Sequence, residues 1–264
     1  MMLLTEIKNA FPAELMTFDR FIQREYLQYK ILEIIFESEF AAHFCFLGGT
    51  NLRIVHGNRR FSEDLDFDNF NISETIFDLL SNLIAEKLKK QGYRVEIKVV
   101  YKGAFHCYIK FPELLYIQGL SPVREEKILI QLDTEPQYYI FTPERFILNK
   151  FDVFVPINVC GISLLLAQKF FTVLNRKRNK GRDFFDIVFI LSKTDYVDFR
   201  YLYQKTGIDN ANSLIEKVLD KCKTLDMIEM ANDVAPFLFD RKDIQKIIHF
   251  ADYIQQIKLL PDHN

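Results

Sequence analysis

Apolar residues recur at every third or fourth position from Pro12 to about Phe40, as they do along the buried face of an amphipathic helix. This pattern predicts one long helix, or two in succession. A second helical pattern starts after Ser73, a suitable N-cap, and runs to Gly92. Further helical patterns occupy residues 162–174, 184–191 and 213–219. The carboxy-terminal part of the chain is therefore expected to be helical.

Strand patterns occupy the region between these helices. Residues 44–47 form a short apolar run that stops at Gly48 and Gly49, and the first turn of a helix is expected at 51–56. Residues 64–70 alternate between acidic and apolar side chains with the period of a strand. Residues 93–101, 105–111 and 127–133 are also strand-like. The middle of the chain is therefore expected to form a sheet.

The alternation also predicts which acidic side chains share a face. Asp64, Asp66 and Asp68 would point to one side of their strand. In the strand at 127–133, Asp133 would point away from the apolar side. Asp133 is therefore a candidate partner for Asp64 and Asp66.

These patterns favour an α+β fold with two regions. Residues 1–158 are expected to form a mixed α/β domain that begins with a helix, and residues 159–264 a helical domain. We expect a cleft between them, which the helical domain completes. The sequence contains neither an internal repeat nor a low-complexity tract.

Composition excludes several classes of protein. The chain has 264 residues, of which 49% are hydrophobic, so disorder is excluded as the main state. The formal net charge is −2, so any affinity for nucleic acid must come from a local basic patch. The four cysteines form no C-x-x-C pair, which favours a reducing, cytoplasmic compartment. No apolar run approaches the roughly 20 residues of a membrane span, and the first residues lack an export signal pattern.

The block of residues 48–66 contains candidate phosphate-binding and metal-binding residues. The two glycines at 48 and 49 allow a tight turn and close approach of a phosphate to the backbone, and Thr50 adds a hydroxyl. Asp64 and Asp66 would project side by side, as oxygen ligands of Mg²⁺ do. A glycine pair can equally be a simple turn, and an Asp-x-Asp pair can simply be solvated. The order and proximity of these features are more specific than any one of them.

This block, GGTNLRIVHGNRRFSEDLDF, resembles the signature of the AbiEii/AbiGii-type nucleotidyltransferase toxins of the DNA polymerase β-like superfamily. A second block supports the resemblance: LLAQKFFTVLNRKR followed by KGRDFFDIVFIL resembles the family's downstream lysine and R-D-x-x-D motifs. The resemblance implies a polymerase β-like core, in which helices flank a mixed sheet, followed by a helical domain. It also implies transfer of a nucleoside monophosphate from a nucleoside triphosphate.

The resemblance also implies roles for individual residues. Asp64, Asp66 and Asp133 would hold Mg²⁺, or Mn²⁺ as an alternative, and Asp133 is assigned by its strand position alone. Asp133 or Asp186 would orient or deprotonate the acceptor hydroxyl. The catalytic set implied by the family is Asp64, Asp66, Asp133, Lys169 and Asp186. The nucleotide-binding set is Gly48, Gly49, Thr50, Arg59, Ser62, Lys169, Arg182 and Asp183.

Several of these residues also have structural interpretations. Lys169 could be a solvent-facing residue of an amphipathic helix, and the R-D-x-x-D motif could be a capping network beside the cleft. The basic run at 176–182 could be a solvated loop or could guide an RNA backbone. The five histidines form no zinc or triad spacing and are assigned structural or surface roles, with His56 the one worth testing.

The sequence thus predicts a Mg²⁺-dependent nucleotidyltransferase that acts on RNA with a tRNA-like acceptor, as the toxin of a toxin–antitoxin or phage-defence system. The partners would be a nucleoside triphosphate, the RNA and a separately encoded antitoxin, with no membrane. Two alternatives stay open. The acceptor could be a protein hydroxyl, or the chain could bind a nucleotide or a partner protein without turnover.

Overall fold

The computed structural model describes residues 1–70 and 72–262. The chain divides into two compact units. The first contains Met1–Gly57 and Phe61–Val159. The second contains Asn58–Arg60 and the chain from Cys160 onward.

The first unit combines helices with a mixed sheet. Its helices are α1 (Leu4–Lys8), α2 (Asp19–Phe36), α3 (Gly48–Ile54), α4 (Glu74–Lys90) and α5 (Leu114–Ile117), with 3-10 turns at Ala13–Leu15 and Ala41–His43. Its strands are β1 (Phe44–Leu47), β2 (Leu65–Asn69), β3 (Glu96–Lys102), β4 (Ala104–Phe111), β5 (Ile128–Glu135), β6 (Glu144–Lys150) and β7 (Val153–Val159). Within the described residues they form a seven-stranded sheet of order β3-β4-β5-β2-β1-β7-β6. The pairs β2–β5 and β1–β7 are parallel, and the other neighbours are antiparallel.

One face of this sheet is covered by helices. Phe36 of α2 contacts Phe67 of β2, and Phe77 of α4 contacts Phe105 of β4. Successive strand residues point to opposite faces. Polar side chains at the alternate positions, Asp66 and His106 among them, therefore lie on the other face.

Most predicted elements are confirmed, with shifted ends. The helix predicted from 12 to 40 is the 3-10 turn at Ala13–Leu15 followed by α2, and α3 begins at Gly48 rather than at residue 51. Ser73 caps α4 as predicted, because its hydroxyl accepts a hydrogen bond from the Ile76 N–H at 3.2 Å. Strands β6 and β7 were not predicted. Pro156 argues against a strand, yet β7 accommodates it opposite Ile147 of the edge strand β6.

The second unit is mainly helical. Its helices are α6 (Ile162–Asn175), α7 (Gly181–Leu191), α8 (Phe199–Thr206), α9 (Ala211–Lys223), α10 (Met227–Val234), α11 (Gln245–Ile248) and α12 (Phe250–Gln256), with 3-10 turns at Ala235–Phe237 and Arg241–Ile244. Two short strands, β8 (Tyr196–Val197) and β9 (Leu260–Pro261), pair in parallel. Helices α7 and α10 approach closely, since a Cβ atom on Gly181 would lie 1.7 Å from the carbonyl oxygen of Met230. The predicted α+β class, with a mixed sheet flanked by helices, is confirmed.

In the part of the chain that the structure describes, every helix is too short or too polar to cross a bilayer.

Candidate active site

The turn between β1 and α3 is shaped around an aspartate of the neighbouring strand. Gly48 has φ of +79°, a left-handed conformation that side chains disfavour. A Cβ atom on Gly48 would lie 2.2 Å from Oδ2 of Asp66, well inside van der Waals contact. Leu47 and Asp66 are partners in the antiparallel pairing of β1 and β2. Only glycine therefore leaves room for the Asp66 carboxylate beside this turn.

Thr50 and Asn51, which follow the two glycines, are fully buried and hydrogen-bond to the backbone of neighbouring segments. The Thr50 hydroxyl donates a hydrogen bond to the backbone carbonyl of Asp64. The Asn51 side-chain amide donates to the carbonyl of Phe46 at 2.8 Å and so ties α3 to β1. Thr50 thus acts on the backbone of the first aspartate.

Two of the candidate carboxylates are direct neighbours across strands. Asp66 and Asp133 are Cα partners in the parallel pairing of β2 and β5. Neighbouring strands lie about 4.8 Å apart, so these side chains rise from adjacent points of the open face. Asp64 immediately precedes β2. Among the described residues, no three His, Cys, Asp or Glu side chains are arranged to hold a metal ion by themselves.

The carboxylate of Asp133 is held by two side chains. Nδ1 of His106, the Cα partner of Asp133 on β4, lies 2.7 Å from Oδ1. The Gln131 amide donates to Oδ1 at 2.8 Å and to Oδ2 at 2.9 Å. An ionised carboxylate only accepts hydrogen bonds, so Nδ1 of His106 carries the proton when Asp133 is charged. Sequence reasoning missed His106, although pairing the two predicted strands would have brought it to Asp133.

Asp68 shares the face predicted for Asp64 and Asp66 but has a different environment. Its side chain is 2% exposed, and Oδ1 accepts a hydrogen bond from the backbone N–H of Gln137 at 3.0 Å. This bond anchors the segment after β5.

Arg59 and Ser62 lie between α3 and β2. Arg59 is exposed, belongs to the second unit, and accepts a hydrogen bond on its carbonyl from the N–H of Phe239. The carbonyl of Ser62 accepts from the side-chain amide of Gln28 at 3.0 Å.

In the second unit, the R-D-x-x-D motif and Lys169 form a buried cluster of charges. Asp186 is 0% exposed and both carboxylate oxygens are occupied. Arg60 donates to Oδ1 through Nε at 2.7 Å and to Oδ2 through a terminal nitrogen at 2.6 Å. Asn58 donates to Oδ1 at 2.8 Å, and the Lys169 ammonium lies 2.8 Å from Oδ2. Asp186 is therefore the centre of this cluster, and each of its carboxylate oxygens has two partners.

The charges in this cluster control its pKa values. Burial alone would raise the pKa of Asp186, but the positive charges of Arg60 and Lys169 outweigh it and lower that pKa. Burial alone would lower the pKa of Lys169, but the carboxylates of Asp186 and Asp183 outweigh it and raise that pKa. Both groups are therefore charged at neutral pH.

Asp183 joins the same cluster. It accepts from the Lys169 ammonium at 3.0 Å and from Arg176 at 2.6 Å. Arg176, the first residue of the basic run, is thus ion-paired, whereas Lys177 and Arg178 are exposed. Arg182 is half-buried at the start of α7.

Sequence reasoning also missed Asn58 and Arg60. It assigned Arg59 of the adjacent pair to the nucleotide, and it gave no role to Arg60, which is 1% exposed and bound to Asp186. Two consecutive arginines in a loop give no periodicity that could separate them. Among the other histidines, His56 follows α3 with a half-buried side chain, and His263 lies outside the described residues.

Comparisons with known proteins agree with these features. The family model described as nucleotidyl transferase AbiEii toxin, type IV toxin–antitoxin system, matches residues 30–260. The fold resembles that of MenT4, a nucleotidyltransferase toxin from Mycobacterium tuberculosis, with a TM-score of 0.57 and 13% identity over 98% of this chain and 91% of that one. It also resembles JHP933 from Helicobacter pylori, with a TM-score of 0.55 and 16% identity over 89% of this chain and 92% of that one. A comparison with curated protein sequences finds no match.

Proposed function

Because the chain belongs to the AbiEii family of nucleotidyl transferase toxins of type IV toxin–antitoxin systems, we propose that it transfers a nucleoside monophosphate to a hydroxyl of RNA, with a tRNA-like acceptor. Family membership makes the protein a nucleotidyltransferase with a nucleoside triphosphate substrate and an antitoxin counterpart. The RNA acceptor, the use of Mg²⁺ and the roles of individual residues belong to the proposal. The observation that carries it is the fit between the Gly48 turn and the Asp66 carboxylate.

The donor set suits a metal ion that is shared with the substrate. Mg²⁺ is usually bound by one or two carboxylates together with substrate phosphates and water, rather than by a cage of protein ligands. Asp64 and Asp66 supply two carboxylates beside a glycine turn, and Thr50 fixes the backbone of the first. These residues would hold Mg²⁺, or Mn²⁺, against the triphosphate. When bound, the metal neutralises negative charge on the α-phosphate and on the departing pyrophosphate.

The chain's own residues organise the rest of the reaction. The Gly48–Gly49 turn lets the triphosphate approach the backbone next to Asp66. The acceptor oxygen forms a bond to the α-phosphorus, the bond from that phosphorus to the pyrophosphate oxygen breaks, and pyrophosphate leaves. We assign the orientation of the acceptor hydroxyl, and receipt of its proton, to Asp133, which is partly exposed and next to Asp66.

Asp186 receives a positioning role in this proposal instead of the proton transfer considered from the sequence. Its buried carboxylate is filled by Arg60, Asn58 and Lys169, which leaves no oxygen for an acceptor hydroxyl. Asp183 and Asp186 together hold the Lys169 ammonium. Lys169, Arg182 and Arg59 would supply positive charge to the nucleotide, as the family resemblance implies. All four cysteines are buried thiols outside any disulfide, which supports action in the cytoplasm.

The test is a transfer reaction with defined acceptors. The purified protein is incubated with Mg²⁺ and each α-phosphate-labelled nucleoside triphosphate in turn, with cellular RNA and cellular protein as acceptors. The control is the Asp64→Ala/Asp66→Ala variant. Label in small RNA that is absent with the variant is the expected result. Label in a protein band would replace the RNA acceptor by a protein, and triphosphate binding without transfer would favour a binding protein without turnover.

A further inference from the structure

The open face of the sheet continues past Asp133 into an aromatic and basic surface. The rings of His106 and Tyr108 project from alternate positions of β4, with centroids 6.4 Å apart and planes 33° apart. We call His106, Tyr108, Lys98 and Lys110 the β4 platform. Lys98 is the Cα partner of Tyr108, and Lys110 follows Tyr108 on the same face. From these residues we propose that the β4 platform binds the last unpaired nucleotides of the RNA acceptor, an inference that rests on the proposed transfer to RNA.

The chemistry of the platform matches single-stranded nucleic acid. Aromatic side chains on an accessible sheet stack with nucleobases, and nearby lysines contact the phosphates. In the described part of the chain, the ammonium groups of Lys98 and Lys110 form neither a hydrogen bond nor an ion pair. Lys127, by contrast, is ion-paired with Glu96 at 2.7 Å. Glu96, the Cα partner of Lys110, is thus bound to Lys127 instead. Two cations outside any ion pair are therefore available to phosphates beside the two rings.

The ring of His106 is held in place for this role. Its Nδ1 is bound to Asp133 Oδ1, and Gln131 donates to both oxygens of the same carboxylate. Gln131 is also the Cα partner of Tyr108. The platform is therefore built on hydrogen-bonded strands and needs little ordering to receive a base.

The position of the platform also favours the acceptor over the triphosphate. The strand order β4-β5-β2-β1 sets the platform on one side of Asp66 and the Gly48 turn on the other. In phosphoryl transfer, the attacking and leaving oxygens lie roughly in line on opposite sides of the phosphorus. With the triphosphate on the β1 side, the acceptor approaches over β5 and β4. The platform lies two strand spacings, about 10 Å, from β2, so the nucleotides that precede the reacting hydroxyl would cover it.

Fluorescence anisotropy with a short, fluorescein-labelled single-stranded RNA that ends in a free 3′ hydroxyl tests the proposal. Tyr108→Ala should weaken binding about tenfold, while Tyr108→Phe keeps the ring and should bind like the wild type. Lys98→Glu/Lys110→Glu should weaken binding and reduce its dependence on salt concentration. The matched control is Lys87→Glu/Lys89→Glu on α4, which carries the same charge reversal on a helix packed against the other face. Thermal unfolding verifies that each variant is folded.

The same variants are also used in the transfer reaction, so the two proposals can fail separately. Tyr108→Ala should raise KM for RNA and leave KM for the nucleoside triphosphate unchanged. If the wild type transfers label to RNA but all folded variants bind RNA equally, the platform proposal is wrong and the transfer proposal stands. If binding depends on Tyr108 but no label is transferred, the platform stands without the transfer. A wild type that labels protein and binds no RNA overturns both RNA assignments.

Discussion

The Asp66 carboxylate fills the space that a side chain at Gly48 would need: a Cβ atom built on Gly48 would lie 2.2 Å from Oδ2 of Asp66. The turn that starts α3 and the acid on β2 are therefore fitted to each other. A phosphate that approaches the backbone at Gly48 would meet the Asp66 carboxylate, which we propose as a metal ligand. The candidate site thus requires glycine at position 48 for two reasons: the backbone conformation and the room that the Asp66 carboxylate needs.

Replacing Gly48 by alanine should abolish transfer mainly by displacing Asp66. Gly48→Ala incurs the cost of a side chain in the left-handed region, about 1–2 kcal/mol, and also a clash with the carboxylate. Gly57→Ala is the matched control, because Gly57 has φ of +76° and, apart from its chain neighbours, no described residue lies within 4 Å of its Cβ position. We expect transfer to fall at least about a hundredfold for Gly48→Ala and to stay near wild type for Gly57→Ala. Equal losses in steady-state assays would show that strain alone matters.

Substitutions at Asp66 and Asp68 should have different effects: one should abolish transfer, and the other should lower the free energy of unfolding. Asp66→Asn removes a proposed metal ligand and one of two neighbouring carboxylates, so transfer should be lost with less than about 1 kcal/mol change in the free energy of unfolding. Asp68→Asn alters a buried acceptor of the Gln137 N–H, so it should lower the unfolding free energy by about 1–3 kcal/mol. The folded fraction of Asp68→Asn should still transfer label.

Urea unfolding and transfer per folded molecule measure the two effects. The interpretation of Asp66 as a metal ligand would be contradicted by a large loss of stability in Asp66→Asn. A Mg²⁺ titration should show weaker activation for Asp66→Asn and ordinary activation for Asp68→Asn.

The two adjacent arginines offer a comparison inside the second unit. Arg60→Met leaves the buried carboxylate of Asp186 without its main counter-charge, so we expect a loss of about 3–5 kcal/mol in unfolding free energy. Arg59→Met makes the same chemical change at an exposed position and should alter stability by less than about 0.5 kcal/mol. Chemical denaturation measures both. Similar stabilities for the two variants would mean that the Arg60–Asp186 pair contributes little.

Patterning predicted those parts of the fold that depend on local periodicity. The alternation in β2, β4 and β5 and the spacing of apolar residues in α2, α4, α6 and α7 are confirmed, because each element buries its apolar face. The hairpin of β6 and β7 was missed because Pro156 interrupts its pattern, and strand order depends on pairings between distant segments. The parallel pairing of β2 with β5, which puts Asp133 beside Asp66, is of this second kind.

The candidate site also divides into residues that local motifs predict and residues that only contacts between distant segments bring together. Motifs selected Gly48, Asp64, Asp66, Lys169 and Asp186 as candidates, but the partners of such residues come from elsewhere in the sequence. Arg60 lies 126 positions from Asp186, and His106 lies 27 positions from Asp133. A motif specifies residue types at short spacing, whereas ion pairs and hydrogen bonds of this kind are set by tertiary packing. One sequence without structure could therefore not show that Arg60 is the arginine that pairs with Asp186.

The depressed pKa of Asp186 predicts how acid affects the second unit. The folded protein binds fewer protons at Asp186 than the unfolded chain does, so the contribution of this group to stability is fully present above about pH 5. It is lost as the pH falls through the folded pKa, which lies below the ordinary value of about 3.9. The wild type should therefore lose stability more steeply between about pH 5 and pH 3 than Asp186→Asn, and the two should converge on acidification.

Urea unfolding followed by circular dichroism at each pH measures this difference, with Asp220→Asn as an exposed control whose curve should run parallel to the wild type. Parallel curves for Asp186→Asn and wild type would show that the cluster around Asp186 does not govern the acid sensitivity of the fold.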